Sequence, residues 1–396
     1  MSNGSTHPVA APYRTADPRE APARPYIGGQ AVLEGVMMRA PTSFAVVVRR
    51  RDGSLLVRER GMADGRTGVA RWPLARGIAS LVESLRLGSE ALRFSADQFA
   101  EDFEADERAG KAAAGTSGIL RTLSALTLFL LALGDEGAGA APARPKEKQG
   151  GAGLFMLFIV IAFFIALPQV ASAGVNRVLH LGLEVQSPRF QMLTGAFKLA
   201  IVVGYLLLIR RVSDIRRVFQ FHGAEHKTIS TYEARQELTV ENARPKTTLH
   251  PRCGTTFLVM IALVSILVFT AVGGLLPRIH TGNAVADNVA FFLEKLPFLP
   301  FIAAITFEIQ RLFARYCTTG PLRALLWPGF VVQKITTIEP DDAQLEVALA
   351  ALRATLFREA SSEPTRDAAP ADVAFPSYAA LAVAEGLRHD APAPAS

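Results

Sequence analysis

His222, Glu225 and His226 lie within five residues of one another, and His250 and Cys253 follow in the same polar stretch. On a helix, His222 and His226 stand four positions apart and share a face. Two imidazoles so placed can grip one divalent ion. The order His-x-x-Glu-His is the inverted zincin arrangement, in which the glutamate serves as general base toward water activated by the metal. Zinc suits such a set, because it lowers the pKa of its bound water toward neutrality. Glu225 is therefore the candidate catalytic base. His222, His226, His250 and Cys253 are the candidate metal ligands, and a divalent metal, zinc above all, is the expected cofactor.

Two ligands do not complete a site. Glu233 lies on roughly the same face as His226, but seven helical residues separate them, about 10.5 Å of rise. Metal–ligand bonds are near 2 Å, so on a continuous helix Glu233 falls outside the first shell. It could instead orient a ligand, cap the helix or bind a second ion. Pro245 and Pro251 break the following segment and let His250 and Cys253 fold back. A His–His–Cys set with an open position resembles catalytic zinc, whereas four protein ligands would make a structural site. Cys253 taken alone equally suits a small buried residue at a helix start.

Four apolar stretches must position this segment: approximately 152–174, 192–209, 255–277 and 289–310. Each approaches the roughly 20 residues needed to cross a bilayer core of about 30 Å. Residues 119–133 are shorter, hold Arg121 and suit an interfacial helix. Half of the 396 residues are apolar, as in a membrane protein with a sizeable water-facing part. The net charge of +6 comes mainly from arginine beside the spans, which reports orientation rather than nucleic-acid binding. Lys and Arg crowd residues 210–254 and those after 310, and are sparse in 175–191 and 278–288. The positive-inside rule then puts the His/Cys segment and both termini in the cytoplasm of a bacterial inner-membrane protein. Two cysteines exclude a disulfide framework. The N-terminus has no compact apolar core before a cleavage-like site, so no signal peptide is expected.

The chain divides as follows. Residues 1–25 and 359–396 have the Ala/Pro-rich composition of disordered ends. Residues 26–115 form a mixed α/β part, with a hairpin turning at Arg51-Asp52-Gly53-Ser54 and a helix from Trp72 to Phe94. Residues 116–151 hold the interfacial helix and a linker; 152–209 and 255–310 hold paired spans around the 210–254 segment. A helical region, 311–358, follows, with Asp341-Asp-Ala-Gln344 as a capping-box variant for the helix to Phe357. Several polar residues have ordinary explanations. Glu34 and Arg39 suit a local ion pair, Glu308 and Arg311 a pair on one helix face, and Thr255 and Thr256 a helix cap. Arg252 suits a membrane-interface cation, and Cys317 an inert thiol. The spans show few internal charges beyond Glu308, which argues against transport.

The stretches GGQAVLEGVMMR (28–39), FHGAEHKTISTYE (221–233), HPRCGTTF (250–257) and ITTIEPDDAQLEVAL (335–349) occur in that order. With them the chain resembles the bacterial YqhQ-like family over roughly residues 26–355; the ends and the 136–151 insertion fall outside. The resemblance implies a multi-spanning membrane protein with a domain of unknown function, often labelled a predicted metal-dependent enzyme. It also implies that His222, Glu225, His226, His250 and Cys253 belong to the family signature. The expected fold is a polytopic α-helical membrane protein of about four transmembrane helices with a small mixed α/β cytoplasmic N-terminal part. The expected function is that of a metal-dependent hydrolase; the alternative is a membrane scaffold or regulator with a structural metal or none. The bilayer is the expected partner, beside a substrate or protein that the residues do not identify.

Overall fold

A computed structural model describes residues 25–62, 72–108, 166–277, 282–316, 321–360 and 371–384. Its first layer is an antiparallel sheet. Strands β1 (Gly28–Val32), β2 (Gly35–Arg39), β3 (Ser43–Arg49) and β4 (Leu55–Gly61) form a meander, and β5 (Ala371–Phe375) pairs with β4. The expected Asp-Gly turn joins β3 to β4, with Gly53 at φ +88, a conformation that glycine adopts without a steric penalty. The tail expected to lack structure thus supplies the fifth strand. Short helix α11 (Tyr378–Val383) follows it and buries Leu381. That tail has too little apolar sequence to fold alone; it orders by borrowing the β4 edge.

The sheet separates two cores, because alternate residues of a strand point to opposite faces. Met37, Phe44, Val46 and Val48 face α1 (Ala75–Arg108) through Leu87, Ala91 and Phe94. Met38, Ala45, Val47 and Val57 face the late helix α10 (Asp342–Ala360). Residues Val347 to Leu352 of α10 are fully buried. Each buried Leu or Val there contributes about 1.5–3 kcal/mol. The central stretch of helix α10, Val347 to Leu352, is apolar all round because it is enclosed, with the sheet on one side and α4 (Ser213–Glu233) on the other. It starts with a reciprocal capping box: Gln344 N donates to Asp341 Oδ1 (2.8 Å) and Asp341 N to Gln344 Oε1 (3.0 Å).

The second layer is built of apolar helices. After α2 (Leu167–Val178) come α3 (Pro188–Ile209), then α4 and the short α5 (Val240–Ala243), then α6 (Gly254–Val272). Helices α7 (Ala284–Lys295), α8 (Leu299–Tyr316) and α9 (Trp327–Thr336) follow. Among the described residues, three runs are long and apolar enough to cross a membrane: Pro188–Ile209, Gly254–Val272 and Val289–Phe313. Most of the expected 152–174 span, the 119–133 helix and Cys317 lie outside the described residues. Helix α4 is not a continuation of α3, since Val212 turns to extended backbone between them.

Three expected ion pairs and caps are rearranged by tertiary packing. Glu34 pairs with Arg217 on α4, through Nε and Nη2, and Arg39 with Glu83 on α1. Glu308 pairs with Arg76 at the start of α1 (Nε to Oε1, 2.6 Å) rather than with Arg311. Cys253, not a threonine, occupies the N-cap of α6, and no side chain closes that cap. In both ion-pair cases a near neighbour in sequence loses to a residue that packing brings closer.

Helix α4 also runs very close to residues 337–340. A Cβ on Gly223 would come 2.2 Å from the Ile338 carbonyl oxygen, while Ile338 N donates to the Phe219 carbonyl at 2.9 Å. Gly223→Ala should therefore push backbone apart and destabilise the protein by about 1–3 kcal/mol. A lowered thermal midpoint in detergent checks this; an unchanged midpoint contradicts the packing.

Candidate metal centre

Helix α4 presents His222, Glu225, His226 and Lys227 toward the protein interior, and the loop after α5 brings Cys253 back against them. One ligand atom each from His222, His226 and Cys253 lies within 4.8 Å of the others. His222 Nε2 is 3.1 Å from Cys253 Sγ, and the two imidazole rings are 4.4 Å apart, edge to face. Neighbouring ligands of a tetrahedral zinc are separated by about 3.5 Å, given bonds of roughly 2.0–2.3 Å. The cluster therefore spans the right range, and closing it on an ion takes movements of an ångström or less.

Hydrogen bonds on the far side of each ring set the chemistry. His222 Nδ1 donates to the Thr336 carbonyl (3.0 Å) and His226 Nδ1 to the Thr248 carbonyl (2.5 Å). A carbonyl only accepts, so in the neutral ring Nδ1 carries the hydrogen and Nε2 offers its lone pair. This support is characteristic of metal-ligating histidine. His226 Nε2 is buried, and among the described residues only the Cys253 sulfur faces it, as expected of an atom meant for an ion.

The electrostatics agree. Burial opposes charge on His222, but the Cys253 thiolate overrides it and raises the imidazole pKa to about 9. Burial alone would push the Cys253 thiol up; His222 and His226 outweigh it and hold the pKa well below the usual value. Burial keeps His226 low, in its neutral form. The metal-free site thus holds a thiolate beside an imidazolium, with a second, neutral imidazole. That thiolate is the form of cysteine that binds metal.

The other sequence candidates take different places. His250 is buried, its ring centred 5.6 Å from that of His226, and it stands outside the three-atom cluster. Its Nε2 faces Glu233 Oε2 at 3.4 Å. Glu233 also pairs with Arg252, whose guanidinium stacks 4.8 Å over Tyr26. Arg252 is thus a partner of Glu233, and Glu233 orients His250 without approaching the cluster. Glu225 is 5% exposed, and its charge favours the protonated form of His222. Strand β1 lies directly on it: a Cβ on Gly29 would come within 2.8 Å of the Glu225 carboxyl. The first glycine-rich motif therefore covers the site, clamped on α4 by Glu34 and Arg217.

Sequence reasoning missed Gln333, Gln310 and Thr336. Gln333 is fully buried and grips the backbone of His250 at both ends: its Oε1 accepts from His250 N (2.9 Å) and its Nε2 donates to His250 O (2.7 Å). Gln333 Nε2 also donates to Thr256 Oγ1 (2.7 Å), and Gln310 Nε2 to the Cys253 carbonyl (3.1 Å). The signal was present as the polar run Gln333-Lys-Ile-Thr336 inside an apolar helix, but its partners are some 80 residues distant.

This geometry is carried by a chain with recognisable relatives. The family described as "Protein of unknown function (DUF1385)" matches residues 72–358. The chain belongs to that family. It is 30% identical over 341 residues to the uncharacterized protein YqhQ of Bacillus subtilis (strain 168), covering 86% of this chain and 95% of that protein. The DUF1385 match takes in His222, Glu225, His226, His250, Cys253 and Gln333, and begins after the β1–β2 motif. No solved structure gives a match.

Chelator-treated protein should show thiolate ultraviolet absorbance at neutral pH, lost in Cys253→Ser. In His222→Ala the thiolate should appear only nearer the ordinary cysteine pKa of about 8.5. A wild-type titration already at that value would contradict the assigned pair.

Proposed function

We propose that this protein is a membrane-anchored metalloprotein with a hydrolase-type site on the cytoplasmic face, in which His222, His226 and Cys253 hold one zinc ion. The observation that carries this reading is the pair of Nδ1-to-carbonyl hydrogen bonds, which turn both imidazole Nε2 atoms toward one cysteine sulfur, where an ion would displace the His222 proton. The donor set fits the metal: thiolate with imidazole selects zinc among common divalent ions. Bound there with a fourth position open, zinc would supply an activated water and polarise a substrate oxygen. Glu225, three residues from His222 on the same face, would accept the proton. Gln333 and Glu233 would hold the His250 loop in place, and β1 would keep bulk water from Glu225.

A second reading rests on burial. Glu225, His226 and Cys253 are only 5%, 1% and 6% exposed, and the ligands come from two elements, α4 and the start of α6. An ion joining them would staple the cytoplasmic layer to the membrane helices, with no substrate involved.

The packing also supports an even number of spans. The sheet, α4 and α10 share one core, so residues 28–61, 213–233 and 342–360 lie on one side of a membrane. If Pro188–Ile209 crosses toward that side, its start lies on the other. The chain must then cross an odd number of times between 108 and 188, which favours the apolar stretch at 152–174. Topology reporters fused after 110 and after 182 should report opposite sides; the same side for both would defeat this arrangement.

Metal analysis of the purified protein should find about one zinc per chain, lost in His222→Ala and Cys253→Ala and retained in Glu225→Gln. Absence of stoichiometric metal in the wild type defeats both readings. Cobalt substitution separates them. An open position predicts that azide alters the visible spectrum and that Glu225→Gln shifts its pH dependence. A spectrum indifferent to both indicates the staple.

A further inference from the structure

The apolar helices hold two lysines that the expectation of few intramembrane charges passed over. Lys198 lies midway along α3, and Lys295 ends α7 within the Val289–Phe313 run. Both line one cavity between α3, α6 and the α7–α8 junction, along with Gln191, Thr194 and Ser265. No aspartate or glutamate is among the described residues that line it.

Lys295 is 9% exposed. Its Nζ donates to Gln191 Oε1 at 2.8 Å and lies over the rings of Phe291 (4.3 Å) and Phe269 (5.1 Å). These contacts solvate an ammonium but bring no negative charge. Lys198 makes no hydrogen bond or ion pair with any described residue. Both side chains face the same cavity, so their amines would repel each other when protonated. Glu294, next in sequence to Lys295, does not line the cavity and pairs with neither lysine among the described residues. Two like charges in an apolar bundle are costly without a counter-charge, and in membrane proteins such groups mark ligand sites.

The cavity walls indicate the occupant. Ile266, Leu296 and Leu299 line the same space, and the last two are about two-fifths exposed on the flank that lipid would meet. A charged interior beside an apolar, membrane-facing rim matches an amphiphile. The cavity is separate from the metal centre: Ser265 lies twelve residues along α6 from Cys253, about 18 Å by helix rise.

We propose that this cavity binds the anionic headgroup of a membrane lipid, a phosphate-type group, with Lys198 and Lys295 as its counter-charges and the acyl chains along Leu296 and Leu299. The proposal shares with the functional reading only the premise that these helices span a membrane; metal content measured on the same samples keeps the two failures apart.

The test uses full-length protein reconstituted in phosphatidylcholine vesicles doped with phosphatidylglycerol, re-extracted in neutral detergent and assayed for retained lipid by mass spectrometry. Wild type should retain phosphatidylglycerol selectively. Lys198→Met and Lys295→Met should each lower retention about tenfold or more, as expected when one member of a buried charge pair is removed. Lys198→Arg with Lys295→Arg should restore it. Should the Met variants fail to fold, a photoactivatable phosphatidylglycerol applied to wild type must crosslink to peptides of α3, α6 or α7. Inorganic phosphate alone, added to lipid-free protein, separates the sources. Lysine-dependent thermal stabilisation by phosphate without selective lipid retention would overturn the lipid assignment in favour of a soluble anion. Equal retention of both lipids, retention indifferent to both Met substitutions, or crosslinking elsewhere would overturn the proposal.

Discussion

Two backbone carbonyls determine what the buried imidazoles of this protein can do. Those of Thr336 and Thr248 take the Nδ1 hydrogens of His222 and His226 and so turn both Nε2 atoms toward Cys253. Each carbonyl belongs to a different element, and each element needs its own fastening. Thr336 ends α9, held by Gln333, by the Thr256 hydroxyl and by the close approach of Gly329, where a Cβ would come 2.4 Å from Thr256. Thr248 sits in the loop that returns from α5 to α6, two residues before the His250 backbone that Gln333 grips. Loss of either fastening would free a ring to rotate, and the thiolate would lose the partners that keep its pKa low.

The same constraint explains why the water-facing and apolar layers are interleaved along the chain. Helix α4 brings the imidazoles, the start of α6 brings the thiolate, and α9 brings a carbonyl and the Gln333 side chain. Strand β1 covers Glu225. A cluster assembled from so many separated pieces requires a rigid frame, and α10, buried between sheet and α4, provides it. The Arg76–Glu308 pair then ties α1, on the far face of the sheet, to α8 of the apolar layer.

Much of this was legible in local patterns. Asp52-Gly53 announced a hairpin, Asp341 to Gln344 a capping box, and the His222/His226 spacing a shared helical face, because turns, caps and helix faces are decided within a few residues. Glu233 was removed from the first shell by helix rise alone, and it lies with His250 and Arg252 instead. Ion pairs were the poorest guide. Glu34, Arg39 and Glu308 all have a plausible near neighbour in sequence, yet all take more distant partners, since an exposed local pair is worth too little to resist packing. The strand at 371–375 was illegible for a similar reason: its stability comes from β4, more than 300 residues earlier.

The sequence by itself determined the residue types of the site, the helix that carries two of them and the apolar runs that bound the segment, because period and composition express local physics. Only the tertiary structure decided that Cys253 rather than His250 approaches the two imidazoles. It also decided that Gln333 and Gly29 serve the site, and that Lys198 and Lys295 meet in one cavity. Those choices depend on which distant backbones come within a few ångströms, and no local spacing encodes that distance.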